Sequence, residues 1–268
     1  VTHSRGRTEY PHPAELPPAH TLLESTDWAS LATPCGTGES LPAALMRLTD
    51  PDPVVRESAL RDALWAVTHQ NSIYEATVPV ALYVAAILDH PAIATDRSRH
   101  DGETPRTGPT LVRLLDWLGD TAHDADDECV ALGGGDRVED FLDECPEMRA
   151  FRDARPAIFS AVRTLLGHDR ADVRHAALLA AIPLIEHPLL TACRAELADH
   201  AGGLLATSTD RRHRDRVFAG LRAWGHDTNS LENTSDIAAR EHHARLRAAR
   251  ASWDGSWTGG GYSEDPPF

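Results

Sequence analysis

The chain has 268 residues, 41% of them hydrophobic, enough for one or two domains with a packed core. Its formal net charge of −15 opposes non-specific nucleic-acid binding, which phosphate neutralisation drives, and suits a basic partner. Every basic side chain other than histidine is arginine, which excludes a Walker lysine and a Schiff-base lysine.

The first residues, VTHSRGRTEYPHP, hold no apolar core of a signal peptide, and no apolar run of about 18 residues occurs anywhere. Both readings point to the cytoplasm. Residues 1–25, rich in proline and histidine, read as a flexible N-terminal arm. In TDWASLATPCGTGES, Thr26 or Asp27 is placed to cap a short helix carrying Trp28 and Leu31, with Trp28 covering the open end of the helical array. CGTG is no phosphate loop, since no strand precedes it and no lysine comes after it. No convincing strand is read anywhere in the chain.

Leu41, Ala44, Leu45 and Leu48 share one helical face. Asp50-Pro51-Asp52-Pro53 is a turn that cannot continue that helix. Val55, Ala59, Leu60, Ala63, Leu64 and Val67 form a second amphipathic face. Such a hairpin cannot bury its apolar faces alone and marks an α-solenoid repeat. The pattern returns downstream. Phe159, Val162 and Leu166 match the first helix, and Val173, Arg174, Ala177 and Leu178 match Val55, Arg56, Ala59 and Leu60, at one offset of 118 residues. That is close to three repeats of roughly 40 residues.

His69-Gln70 closes the first hairpin, Asn71 tolerates the left-handed conformation that stops a helix, Tyr74 packs under the link, and Thr77 caps the next helix. Val78–Leu88 is apolar nearly all round and reads as a buried helix ended by His90-Pro91. Residues 94–109 read as an inserted polar loop, and Leu111, Leu114, Leu115 and Leu118 as a helix ending near Gly119.

Next comes an acidic segment, from Asp116, Asp120, Asp124, Asp126, Asp127 and Glu128 through to Glu147, broken by Gly133-Gly134-Gly135. DADDE lacks the order of a calcium loop and its closing glutamate, so no metal is expected. Two readings stay open: a solvated acidic loop, or a docking surface for an arginine- or lysine-rich protein. Residues 156–187 hold the matched hairpin, with Pro183 kinking or ending its second helix. Leu189–Leu205 and Arg214–Trp224 read as another hairpin with Trp224 in its core. Residues 235–253 read as a terminal helix capped by Ser235, and 254–268 as a flexible tail. Cys35, Cys129, Cys145 and Cys193 show no metal spacing and are expected to be reduced.

The pattern D-P-x-x-x-V-R-x-x-A, from Asp50 to Arg56 and on to Ala59, resembles the HEAT repeat. That resemblance implies that Asp50 and Arg56 join a hydrogen-bonded ladder between repeats; Arg174 stands in the second copy, where His168 replaces the aspartate. The longer run D-W-A-S-L to H-Q-N-S-I-Y-E-A-T-V-P, over residues 26–90, resembles a group of bacterial HEAT-repeat proteins common in actinomycetes and often associated with toxin–immunity loci. The chain departs from that group at Thr33-Pro34-Cys35, at Asn71-Ser72, where the group carries Gly-Thr, and at Val80-Ala81-Leu82.

The expected fold is therefore all-α: a HEAT-type α-solenoid of about four to five hairpins with capping helices, over residues 26–253. The expected function is a non-catalytic, monomeric protein-binding scaffold, an immunity or regulatory protein that docks a basic protein and uses no cofactor. Its contact candidates are Asp116, Asp120, Asp124, Asp126, Asp127, Glu128, His69, Gln70 and Tyr74. Catalytic patterns are wanting: there is no G-x-S-x-G and no H-E-x-x-H. Glu186-His187 and Glu241-His242-His243 have the reverse order of the His-Glu pairs in HEAT-built iron hydroxylases. The alternative is a HEAT-like nucleic-acid binder or DNA glycosylase using Arg211, Arg212, Arg214, Arg216 and Trp224.

Overall fold

Apolar residues recur at helical spacing along most of the chain, and the computed structural model, which describes residues 15–94 and 108–253, is all-α apart from one short hairpin. The tail 254–268 and most of the loop expected over 94–109 lie outside the described residues. Two compact units divide the chain, residues 1–206 and 207–268, where the sequence reading drew one array over 26–253.

The first unit begins with α1 (Ala19–Ser25), so the expected arm already carries a helix. Trp28 is not helical. It is buried in a turn, and its indole Nε1 donates to Leu23 O at 3.1 Å, a partner a buried Trp requires. The strands β1 (Ala32–Thr33) and β2 (Gly36–Thr37) pair antiparallel, a hairpin the sequence reading missed. Two residues per strand are too few to show alternation.

Then come α2 (Leu41–Met46), α3 (Pro53–Leu64), α4 (Thr77–Ala86), α5 (Pro91–Ala94) and α6 (Thr110–Asp124). After them lie α7 (Asp127–Gly134), α8 (Val138–Glu144), α9 (Pro146–Arg163), α10 (Ala171–Leu184) and α11 (Arg194–Thr207). Short 3₁₀ turns extend α2 and α3, and another, Pro188–Cys193, precedes α11. Helix α3 packs on α6, α6 on α10, and α4 on α9, while α2 packs on α3, α4 on α6, and α9 on α6 and α10. Leu114, Leu115, Leu118, Ala177 and Ala181 are fully buried in this core. Helix α6 does not end at Gly119: a Cβ there would lie 3.1 Å from Ala180 Cα, so the glycine permits close approach to α10 rather than a stop.

Arg56, 3% exposed, donates from Nη1 to Asp50 O (2.7 Å) and Pro51 O (3.1 Å), and from Nε to Thr110 Oγ1 on α6 (3.3 Å). The ladder expected from the Asp50 carboxylate takes another form, because Asp50 Oδ1 accepts from Asp52 N at 2.8 Å instead. Arg174 repeats the arrangement, with Nη1 donating to His168 O and Asp169 O, while His168 Nδ1 accepts from Arg170 N. His168 fills the place of the aspartate: the turn needs an acceptor, and the imidazole Nδ1 supplies one.

Thr77 is the first residue of α4 rather than its cap. Its hydroxyl accepts from Tyr74 N and donates to Val67 O, tying the link to the end of the 3₁₀ turn that extends α3. Gln70 and Asn71 both have positive φ, 51° and 57°, between the bridged residues His69 and Ser72, so the link is a tight β-turn.

In the second unit, α12 (Arg211–Ala223) packs on α13 (Thr234–Trp253). A third copy of the turn opens α12: Ser208 Oγ accepts from Asp210 N, and Arg214 Nη1 donates to Ser208 O. Trp224 is only half-buried at the end of α12, and the core positions are Val217, Phe218 and Leu221. Asn233, not Ser235, caps α13, accepting from Asp236 N at 3.0 Å.

Candidate functional site

The acidic segment is helical rather than a loop. Asp126 caps α7 through Oδ1 to Cys129 N at 2.8 Å, and the first turns of α7 and α8 carry Asp127, Glu128, Glu139 and Asp140. Carboxylates there offset the positive helix end. Gly133 and Gly134 let the Phe141 ring lie against α7; a Cβ on Gly133 would sit 2.7 Å from Phe141 Cζ. Glu128, Asp136, Glu139, Asp140, Asp143 and Glu144 are all exposed on this hairpin, and Leu132 on α7 is 80% exposed.

Beneath the hairpin lies a buried polar anchor. Ala125 O, at the negative end of α6, accepts from Arg152 Nη1 at 2.7 Å and from Arg155 Nη2, one turn apart on α9. Arg152 also pairs with Asp127. Asp126 Oδ2 meets His123 Nδ1 at 2.7 Å; burial works against its charge, but the His123 and Cys129 bonds hold Asp126 below the usual carboxylate range. Glu186, just past α10, accepts from Asp127 N at 2.9 Å and lies 3.5 Å from Arg155 Nη1. Burial pushes Glu186 up to about 7, against the Asp127 amide bond. Arg155, 1% exposed, is brought down to about 10 by burial and then by Arg152, and its Nε has no partner among the described residues.

The structure therefore sorts the candidate residues. Asp126 is buried, and Asp127, though exposed, is bonded to Arg152 and through its amide to Glu186. Asp116, Asp120 and Asp124 lie half-buried on α6, each engaged with neighbours. Of the six, Glu128 joins the outer acids; Asp136, Glu139, Asp140, Asp143 and Glu144 lay outside the contact candidates. The last four sit on α8, and its amphipathic Phe141-Leu142 core was the available signal. His69 and Gln70 are exposed and Tyr74 half-buried, in a link joined to β1 through Glu75 Oε2 and Ala32 N.

Burial and the nearby Asp126 raise the Cys129 thiol to about 12, which makes it inert. No group of three metal-ligating side chains occurs among the described residues. A cleft of about 600 Å³ opens between α9 and the segment 188–196, floored by Phe159, Leu190 and Cys193 and rimmed by the Arg163–Glu196 ion pair at 2.7 Å. In the second unit, Asp236 receives Arg211 and Arg214 and is held at about 2, chiefly by the Arg214 bonds; Glu232 pairs with Arg222 and Arg240. No helix among the described residues is long and apolar enough to cross a membrane. Compared with known proteins, the chain matches no family model, no curated protein and no solved structure.

Proposed function

We propose that the first unit is a HEAT-type α-solenoid and that the chain is a non-catalytic scaffold, an immunity or regulatory protein that docks a basic protein partner on the α7–α8 hairpin. The successive packing of α3, α6 and α10 and the recurring arginine turn support the repeat reading. The observation that carries the docking reading is the exposed acidic hairpin, which also leaves Leu132 of α7 open to water. Against the nucleic-acid alternative, Arg211, Arg214, Arg222 and Arg240 already hold carboxylates of their own unit, which competes with phosphate contacts.

The test is co-purification of the intact chain with the product of the neighbouring gene, repeated with Glu128, Asp136 and Glu144 reversed to arginine and, separately, with Leu132→Ser. Loss of the complex in both variants supports the reading. Retention in both overturns it.

A further inference from the structure

We propose that the cleft between α9 and the segment 188–196 is a binding site for a small primary amine with an apolar, aromatic body. The cleft holds about 600 Å³, a volume that suits a small organic molecule. Its lining divides by chemistry. Pro156, Phe159, Leu189 and Leu190 are the apolar part, and Leu189 is 56% exposed. A ring packed there covers that surface and meets Phe159, and an aromatic pair gains beyond the area it buries.

The polar part is weighted towards acceptors. Ser160 Oγ donates to Ala157 O at 2.7 Å, and Thr164 Oγ1 donates to Ala161 O at 2.8 Å. Both hydroxyl protons are thus spent on the backbone of α9, and each oxygen has only lone pairs left for a ligand. A carboxylate finds no donor in them, whereas an ammonium group brings up to three protons. Ser160 and Thr164 also stand at the end of α9, where the last carbonyls favour a positive charge.

The rim itself is balanced. Arg163 Nε and Nη2 meet the two carboxylate oxygens of Glu196 at 3.2 and 2.7 Å. The pair cancels in charge, and each partner keeps unused capacity: N–H groups on Arg163, second lone pairs on Glu196. Glu196 lies in the first turn of α11 and already answers the positive end of that helix. The choice of ligand therefore falls to the two hydroxyls and the end of α9, and both select a cation. An alkyl amine is protonated at neutral pH, as a lysine side chain is.

The experiment titrates the intact chain at neutral pH with phenethylamine, phenethyl alcohol and hydrocinnamate, which share a ring and differ in the head group. The readout is the rate at which iodoacetamide alkylates Cys193, a lining residue, resolved by peptide mass mapping, with the exposed Cys35 as control. Phenethylamine is expected to bind with a Kd on the order of 1 mM and to slow Cys193 about fivefold at ~4 mM, leaving Cys35 unchanged. The alcohol and the carboxylate are expected to bind about fivefold more weakly, and Glu196→Gln combined with Thr164→Val brings the amine down to the level of the alcohol. No slowing of Cys193 by the amine, or equal slowing by hydrocinnamate, overturns the proposal. Should the double variant fail to fold, the three probes on the wild-type chain decide: the amine ahead by several-fold supports the proposal, and any other result ends it. The site shares no residue with the α7–α8 hairpin, so failure of the docking reading is seen separately, in the co-purification.

Discussion

Replacing Arg56 with methionine tests whether the recurring turn holds the first unit together. The guanidinium is buried and donates to two turn carbonyls, at 2.7 and 3.1 Å, and to Thr110 on the neighbouring helix α6. Methionine fills much of the space and donates nothing. Charged hydrogen bonds are each worth about 1.5–3 kcal/mol, and carbonyls left unsatisfied at these part-buried positions cost about 1–3 kcal/mol each. Since these are two views of the same loss, the expected total is about 3–5 kcal/mol. Arg174 makes the same two carbonyl bonds at 2.7 and 2.8 Å, but Asp169 O is exposed and water can replace the donor there. Arg174→Met is therefore expected to cost about 1–2 kcal/mol. The assay is urea unfolding followed by circular dichroism, with an unchanged slope required before the free energies are compared. Equal losses, or a larger loss at Arg174, would refute the claim that burial of the turn carbonyls sets the scale.

Gly119→Ala is expected to destabilise by about 1–2 kcal/mol despite alanine's better helix propensity, because its methyl meets Ala180 backbone at 3.1 Å, whereas Gly203→Ala, with open space, should gain about 0.5–1 kcal/mol; thermal unfolding distinguishes them. Glu186 is raised from 4.5 to about 7, so the folded state holds the extra proton between those values and stability falls as pH rises across them, by up to about 3 kcal/mol, an effect Glu186→Gln removes. Asp236 has the opposite sign: held at about 2, it adds stability above 3.8 that is lost as pH falls through 2, and Asp236→Asn should flatten the acid limb of the unfolding curve. Cys129, raised from 9.0 to about 12, should react with a disulfide reagent at pH 8 roughly 30- to 60-fold more slowly than an ordinary thiol, its smaller thiolate fraction being partly offset by greater nucleophilicity, read by mass spectrometry after timed labelling.

The helical class and most core positions were legible because apolar spacing reports burial directly: Leu41, Leu45 and Leu48, and later Leu111, Leu114 and Leu118, are all buried as their period requires. The acidic hairpin was not. Its carboxylates serve as a cap and as first-turn charges, and Gly133-Gly134 serves as a seat for Phe141, yet in a linear reading the same residues have the composition of a loop. The anchor was hidden for a different reason. Arg152 and Arg155 look like surface charges on a long helix until α6 ends beside them and presents Ala125 O. Sequence shows which groups are charged but not which carbonyl they will meet.

The arginine turn was half-read for a related cause. Asp50, His168 and Ser208 share no charge and little shape, yet each accepts from the amide two residues on, and each leads by six residues to an arginine that bonds back to its carbonyl. What repeats is an acceptor at one fixed distance before a donor, and any side chain with a suitable lone pair satisfies it. A search by residue identity sees Asp–Arg once and counts the other copies as departures. A search by hydrogen-bonding role finds three. What is kept is a role rather than a letter, and it makes the arginines, rather than the turn aspartate, the residues whose loss should most weaken each turn.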